Sequence, residues 1–148
     1  MLFVQRIWNW CRRFRHRCGY GVHSPSDFFL ITSVIYEGLP YYAYKELKRH
    51  PLQKSLPHYR EKVNRLLFRL VNYFRPSTLI EVGDGNGDAI RYMRSARSSM
   101  VSVSLKGLEK EKTMRQLEAE LVKMKKVDFL HIGYTPYYME VFEAVFPF

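Results

Sequence analysis

Apolar positions return at two different spacings along this chain, and the change of spacing divides it. Near the start, Phe3, Ile7, Trp10 or Cys11, and Phe14 recur three or four positions apart while arginines take most of the other faces, which predicts an amphipathic helix. Ser24 and Pro25 then mark a second helix start: the serine can cap, the proline suits the first helical position, and Asp27 stands three residues after Ser24 as in a capping box. Phe28, Phe29, Ile31, Ile35 and Leu39 supply that helix with apolar surface. Tyr41, Tyr42, Tyr44 and Leu47 predict a short aromatic helix between Pro40 and Pro51, and linker character peaks from His50 to Pro57. The strongest helical stripe is Val63, Leu66, Leu67, Leu70, Val71 and Phe74, within Tyr59 to Phe74.

After Pro76 the pattern shortens. Thr78, Leu79, Ile80 and Val82 read as a buried strand, on which the preceding helix is expected to pack, and Ile90, Met93 and Ala96 follow at helical spacing. Met100 to Ser104 reads as a second strand, and Met114, Leu117, Leu121 and Met124 as the inner face of a helix from Glu109 to Met124. Val127 to Ile132 is a third strand, and Tyr137, Val141, Phe142 and Val145 begin a last helix. Alternation of strand and helix predicts an α/β fold with a parallel sheet of about three strands, behind a helical amino-terminal region. The expected division is a basic helical region over 1–58 and a partial sheet domain over 59–148.

Composition narrows the class. A chain of 148 residues with 47% hydrophobic and 16% aromatic content can bury a sizeable core, which argues against disorder. No apolar run approaches the ~20 residues of a membrane span, and the start lacks the apolar stretch and cleavage site of a signal peptide, so a soluble, cytoplasmic protein is expected. Cys11 and Cys18 have no metal-site spacing and read as free thiols.

Charge is divided unevenly. Residues 1–75 hold 14 Lys and Arg against 4 Asp and Glu, whereas residues 76–148 hold 10 of each, so the net charge of +10 resides in the first half. Arg6, Arg12, Arg13, Arg15 and Arg17 stand in the first 20 residues with no acid among them. A basic amphipathic helix carrying Trp8 and Trp10 suits packing on its own domain, an anionic membrane surface, or nucleic acid.

The densest chemical signal is Glu81-Val82-Gly83-Asp84-Gly85-Asn86-Gly87, an acid and three alternating glycines between the first strand and its helix. Glycines there let the chain turn sharply and bring bare backbone against a ligand, and the next helix directs free N–H groups at the same place. The stretch resembles motif I of the class I S-adenosylmethionine-dependent methyltransferases, E-x-G-x-G-x-G, at every fixed position. Gly21-Val22-His23-Ser24-Pro25, the run from Leu67 to Pro76, and Val127 to Gly133 look like further parts of a bacterial subgroup of that family.

This resemblance implies a Rossmann-like three-layer fold and a bound S-adenosylmethionine. Glu81 would organise its methionine end, with Gly83, Asp84, Gly85, Asn86 and Gly87 along the ligand. It also marks departures. Lys106 stands where the family has an acid for the ribose hydroxyls, with Glu109 or Glu111 as substitutes from the next helix. Gly133 and Pro136 stand where metal-assisted relatives have Asp and His, so no metal ligand and no catalytic base is assigned. His131, inside the third strand, reads as a core or sheet-face residue, and His23 as a turn residue. The family sheet has about seven strands, and a shorter one leaves an open edge that needs a partner or a second copy. Two functions are expected from these features: a weak or inactive methyltransferase-like protein with an unidentified acceptor, or a non-catalytic module that docks a membrane, nucleic acid or protein through the basic helix.

Overall fold

The computed structural model describes residues 2–14, 21–49, 58–83, 87–107 and 109–148. Residues 15–20, with Arg15, Arg17 and Cys18, the linker from His50 to Pro57, and Asp84, Gly85 and Asn86 lie outside the described residues. The chain forms two compact units, Met1–Pro40 and Tyr41–Phe148.

The first unit holds α1 (Leu2–Phe14) and α2 (Pro25–Leu30). Ser24 caps α2 as its sequence suggests: its hydroxyl accepts from the Asp27 N–H at 3.4 Å, and Pro25 opens the helix. The regular α-helix is shorter than its apolar pattern. Ile31–Ile35 is a π-helical turn, closed by Tyr36 N–H donating to the Ile31 carbonyl at 3.0 Å. The Thr32 hydroxyl donates back to the Phe28 carbonyl at 2.8 Å, a local bond that competes with the α-helical ladder. Val34 is buried, whereas Phe28, Phe29, Ile35 and Leu39 are exposed.

The second unit is α/β. Its elements are α3 (Tyr42–Arg49), α4 (His58–Phe74), β1 (Thr78–Gly83), α5 (Asp88–Ala96), β2 (Val101–Lys106), α6 (Lys110–Met124), β3 (Phe129–Ile132) and α7 (Tyr138–Val145). Pro76 separates α4 from β1 after Arg75 has taken a left-handed conformation at φ 49°, its N–H donating to the Val71 carbonyl. The sheet is wholly parallel, in the order β2-β1-β3. The chain therefore leaves β1 on one side to make β2 and returns across it to make β3 on the other.

Residue parity on β1 distributes the core. Ile80 and Val82 pack with Leu105, Leu117, Leu121, Val141 and Val145, so α6 and α7 cover one face. Leu79 packs with Leu67, Val71, Ile90, Met93 and Met100, so α4 and α5 cover the other. On α6, Leu117 and Leu121 are buried and Met114 and Met124 partly so, as its spacing requires. The inward stripe of α4 is Asn64, Leu67, Phe68 and Val71, while Val63 and Phe74 are exposed. That rotation has a partner: Phe68 packs with Tyr44, Leu47 and Tyr92, where α3 joins α4 and α5. Lys48 and Arg65 both bond Glu61, at 3.0 and 2.5 Å. Burial alone would raise the Glu61 carboxyl; the Lys48 and Arg65 charges outweigh it and hold the group below its ordinary value. These contacts group α3 with the sheet unit.

At the amino ends of the strands, Asp128 ties β3 to β1. Its carboxylate accepts from the Ser77 N–H at 2.8 Å and the Thr78 N–H at 3.2 Å, and its own N–H donates to the Thr78 hydroxyl at 3.0 Å. The Lys126 ammonium and then the Ser77 N–H, with a smaller part from Thr78, hold the carboxyl at about 2 against the opposing effect of burial. The folded value lies below the ordinary 3.8, so its contribution to stability is present above pH 3.8 and is lost as pH falls towards 2. Asp128→Asn is expected to cost about 1 kcal/mol at neutral pH, discounted for solvent screening, and to flatten the stability profile between those values. Urea denaturation of both proteins from neutral pH down to about pH 2 checks this; an unchanged acid slope would remove the clamp from the account.

Candidate functional site

The carboxyl ends of β1, β2 and β3 meet in a rim made of backbone. The β1–β2 register pairs Gly83 with Lys106. Gly107 N–H donates to the Gly83 carbonyl at 3.2 Å, and Gly133 N–H donates to the Val82 carbonyl at 2.8 Å. Gly83 has φ 151°, which L side chains rarely adopt, and a Cβ there would stand 2.7 Å from Gly133 Cα. A Cβ on Gly107 would stand 3.0 Å from Gly83 Cα. At Gly83 glycine is required by contact as well as by torsion, whereas at Gly107 an added Cβ would be tight against the Gly83 backbone. Gly133 is itself part of this backbone contact.

Two residues before Gly83, a polar row crosses the sheet. Register places Ser104 and His131 on either side of Glu81. The Ser104 hydroxyl donates to Glu81 Oε2 at 2.8 Å. His131 Nδ1 lies 3.4 Å from Glu81 Oε1, with side-chain exposures of 20% for the histidine and 4% for the glutamate. Neither Glu81 Oε1 nor His131 Nδ1 completes a hydrogen bond, although both atoms are buried. A buried carboxylate oxygen with spare acceptor capacity carries a desolvation cost that a donor group, above all a cationic one, would offset.

The start of α5 frames the other side. Gly87 is its left-handed N-cap at φ 77°, with no side-chain cap, and the Arg91 N–H donates to the Gly87 carbonyl at 3.3 Å. Asp88 is buried in the first turn and pairs with Arg91 at 3.4 Å. Past β3, the buried Thr135 Oγ1 and Tyr137 Oη also complete no hydrogen bond.

Glu81, Gly83 and Gly87 from the glycine motif therefore lie at one end of the sheet, while Asp84, Gly85 and Asn86 lie outside the described residues. Lys106 is exposed at the last position of β2, and its carbonyl accepts from the Thr113 hydroxyl at 2.8 Å. Glu109 and Glu111 are exposed and line a hollow of about 560 Å³ with Lys110, Lys112, Arg115 and Gln116. Among the described residues no group of three or more His, Cys, Asp or Glu is placed to hold a metal ion. Sequence pattern marks Ser104 only as a strand residue and Tyr137 only as a helix residue, and singles out neither of them, nor Thr135, as part of a site. Only strand register places Ser104 beside Glu81, and His131, a sheet-face residue as its position suggests, gains its acidic neighbour the same way. Comparison with family models, curated proteins and solved structures returned no match.

Gly83→Ala is expected to destabilise the protein by about 2–4 kcal/mol, through backbone overlap with Gly133 and an unfavourable φ. Gly38→Ala, where an added Cβ meets nothing within 4 Å, should fall within about 0.5 kcal/mol of the parent. Denaturant midpoints of the two variants test the rim; equal stability would show that the strand ends can separate at little cost.

Proposed function

We propose that the chain is a methyltransferase-like protein that binds S-adenosylmethionine at the carboxyl end of its sheet, on an incomplete Rossmann-like framework, in the cytoplasm. The observation that carries this reading is the half-used carboxylate of Glu81, buried one turn of strand below the glycine rim, with one oxygen held by Ser104 and the other without a hydrogen bond. The strand order β2-β1-β3 supports it. One connection leads from β1 outward to β2 and the next crosses back past β1 to β3, and open parallel sheets receive ligands beyond the carboxyl ends of their strands where the direction of connection reverses.

The residues present fit one end of the cofactor better than the other. Glu81 Oε1 can accept from the ligand's ammonium group, and the bare backbone of Gly83 and Gly87 permits close approach beside the start of α5. The ribose end has Lys106 in place of an acid, which removes charge-assisted hydrogen bonds and adds a cation near a positively charged sulfonium. Glu109 and Glu111 are the nearest acids along the chain to take that role. The cofactor would supply an electrophilic methyl group. The chain's own contribution is to bind and orient it through Glu81 and the rim; no residue is assigned to activate the acceptor, so low or absent transfer activity belongs to the reading. A partner or a second copy covering the open strand edges is part of the same proposal.

Calorimetric titration with S-adenosylmethionine and S-adenosylhomocysteine is the direct test. Binding with one site per chain and a Kd near micromolar or tighter is expected, about −8 kcal/mol. Glu81→Gln should weaken it roughly tenfold while Ser104 can still donate to the amide oxygen. No heat from a folded sample would leave the glycine rim as a packing device alone.

A further inference from the structure

The function proposed for the sheet unit makes no use of α1 (Leu2–Phe14). The helix is 13 residues long, LFVQRIWNWCRRF, and contains no acid. At 3.6 residues per turn, Trp10, Ile7, Cys11, Val4 and Trp8 fall on one arc roughly 160° wide, and Gln5, Asn9 and Arg6 fall on the opposite arc. The helix is exposed on every side from Val4 to Cys11, its apolar arc included: Val4 is 71% exposed, Trp8 65%, Trp10 54% and Ile7 48%. A helix that exposes this much of Val4, Ile7 and Trp8 along one stripe suits docking against an apolar surface.

Charge and shape select the partner. The polar arc is cationic, with Arg6 on it and Arg12 and Arg13 following in sequence, so the partner is anionic. A nucleic acid would engage the arginines but has no apolar interior for Val4, Ile7 and Cys11. A bilayer interface satisfies both arcs at once: acyl chains take the aliphatic side chains, the tryptophans sit at headgroup level, and anionic headgroups meet the arginines. At 1.5 Å per residue the helix is about 20 Å long, short of the ~30 Å hydrocarbon core. No helix among the described residues is long and apolar enough to cross a membrane, so the geometry is that of a helix lying in the surface plane.

We propose that α1 docks the protein on the surface of an anionic lipid bilayer, with Val4, Ile7, Trp8, Trp10 and Cys11 in the headgroup and acyl boundary and Arg6 against the headgroups. The proposal stands apart from cofactor binding and holds whether or not Glu81 receives a ligand.

Both tryptophans of the chain are on this helix, so intrinsic fluorescence reports on it alone. The full chain is titrated with vesicles of phosphatidylcholine and with vesicles in which phosphatidylglycerol is mixed, and co-sedimentation is measured in parallel. A blue shift of emission and co-sedimentation with the anionic vesicles, weakened by added salt, is the expected result. Ile7→Glu and Arg6→Glu, one on each arc and both retaining the tryptophans, should each lower the partition coefficient about tenfold or more, with thermal unfolding showing that each variant remains folded. Absence of a shift with anionic vesicles overturns the proposal. So does equal partition onto phosphatidylcholine alone, parent-like partition of both variants, or a response to an RNA oligonucleotide with none to vesicles.

Discussion

β1 must satisfy four neighbours at once, and the rest of the sheet unit is arranged around that demand. Parallel strands flank it on both edges, and helical layers cover both faces. A strand in this position is expected to be apolar at nearly every residue. Glu81 is the exception, and its acid is accommodated by register: Ser104 and His131 flank it, so that a polar row crosses the sheet. Placing a carboxylate there costs desolvation, which the serine offsets for one oxygen only. A residue that costs stability where a valine would add it is the kind of exception that a binding role explains.

The two ends of the strands are built from different materials for the same purpose. At the amino end, Asp128 clamps β3 to β1 by charge-assisted bonds to two backbone N–H groups, and it does so near solvent, where a carboxylate is easily hydrated. At the carboxyl end no side chain intervenes. Gly83, Gly107 and Gly133 bring three backbones together.

Charge separates the chain by role. The stretch after Pro76 is balanced, with acids and bases in equal number, as suits a folded sheet unit whose surface ion pairs such as Lys110 with Glu140 are individually weak. The excess cations lie earlier, and on α1 they share a helix with outward-facing apolar side chains.

Periodicity alone was enough to mark β1, α5 and α6, because their buried residues lie on both sides of a strand or on one unbroken helical stripe, and local spacing records that directly. The Ser24 cap was legible for a similar reason: a cap is a contact between residues three apart. The glycine motif was legible as a motif, and Glu81, Gly83 and Gly87 do lie at one end of the sheet. Tertiary structure decided the rest. The face of α4 turned towards Asn64 and Phe68 because α3 packs across it, a partner that the helix's own stripe does not encode. Ser104, His131 and Glu81 became neighbours only when parallel register aligned them, since strands brought together by crossover helices carry no local signal of which residue will stand opposite which.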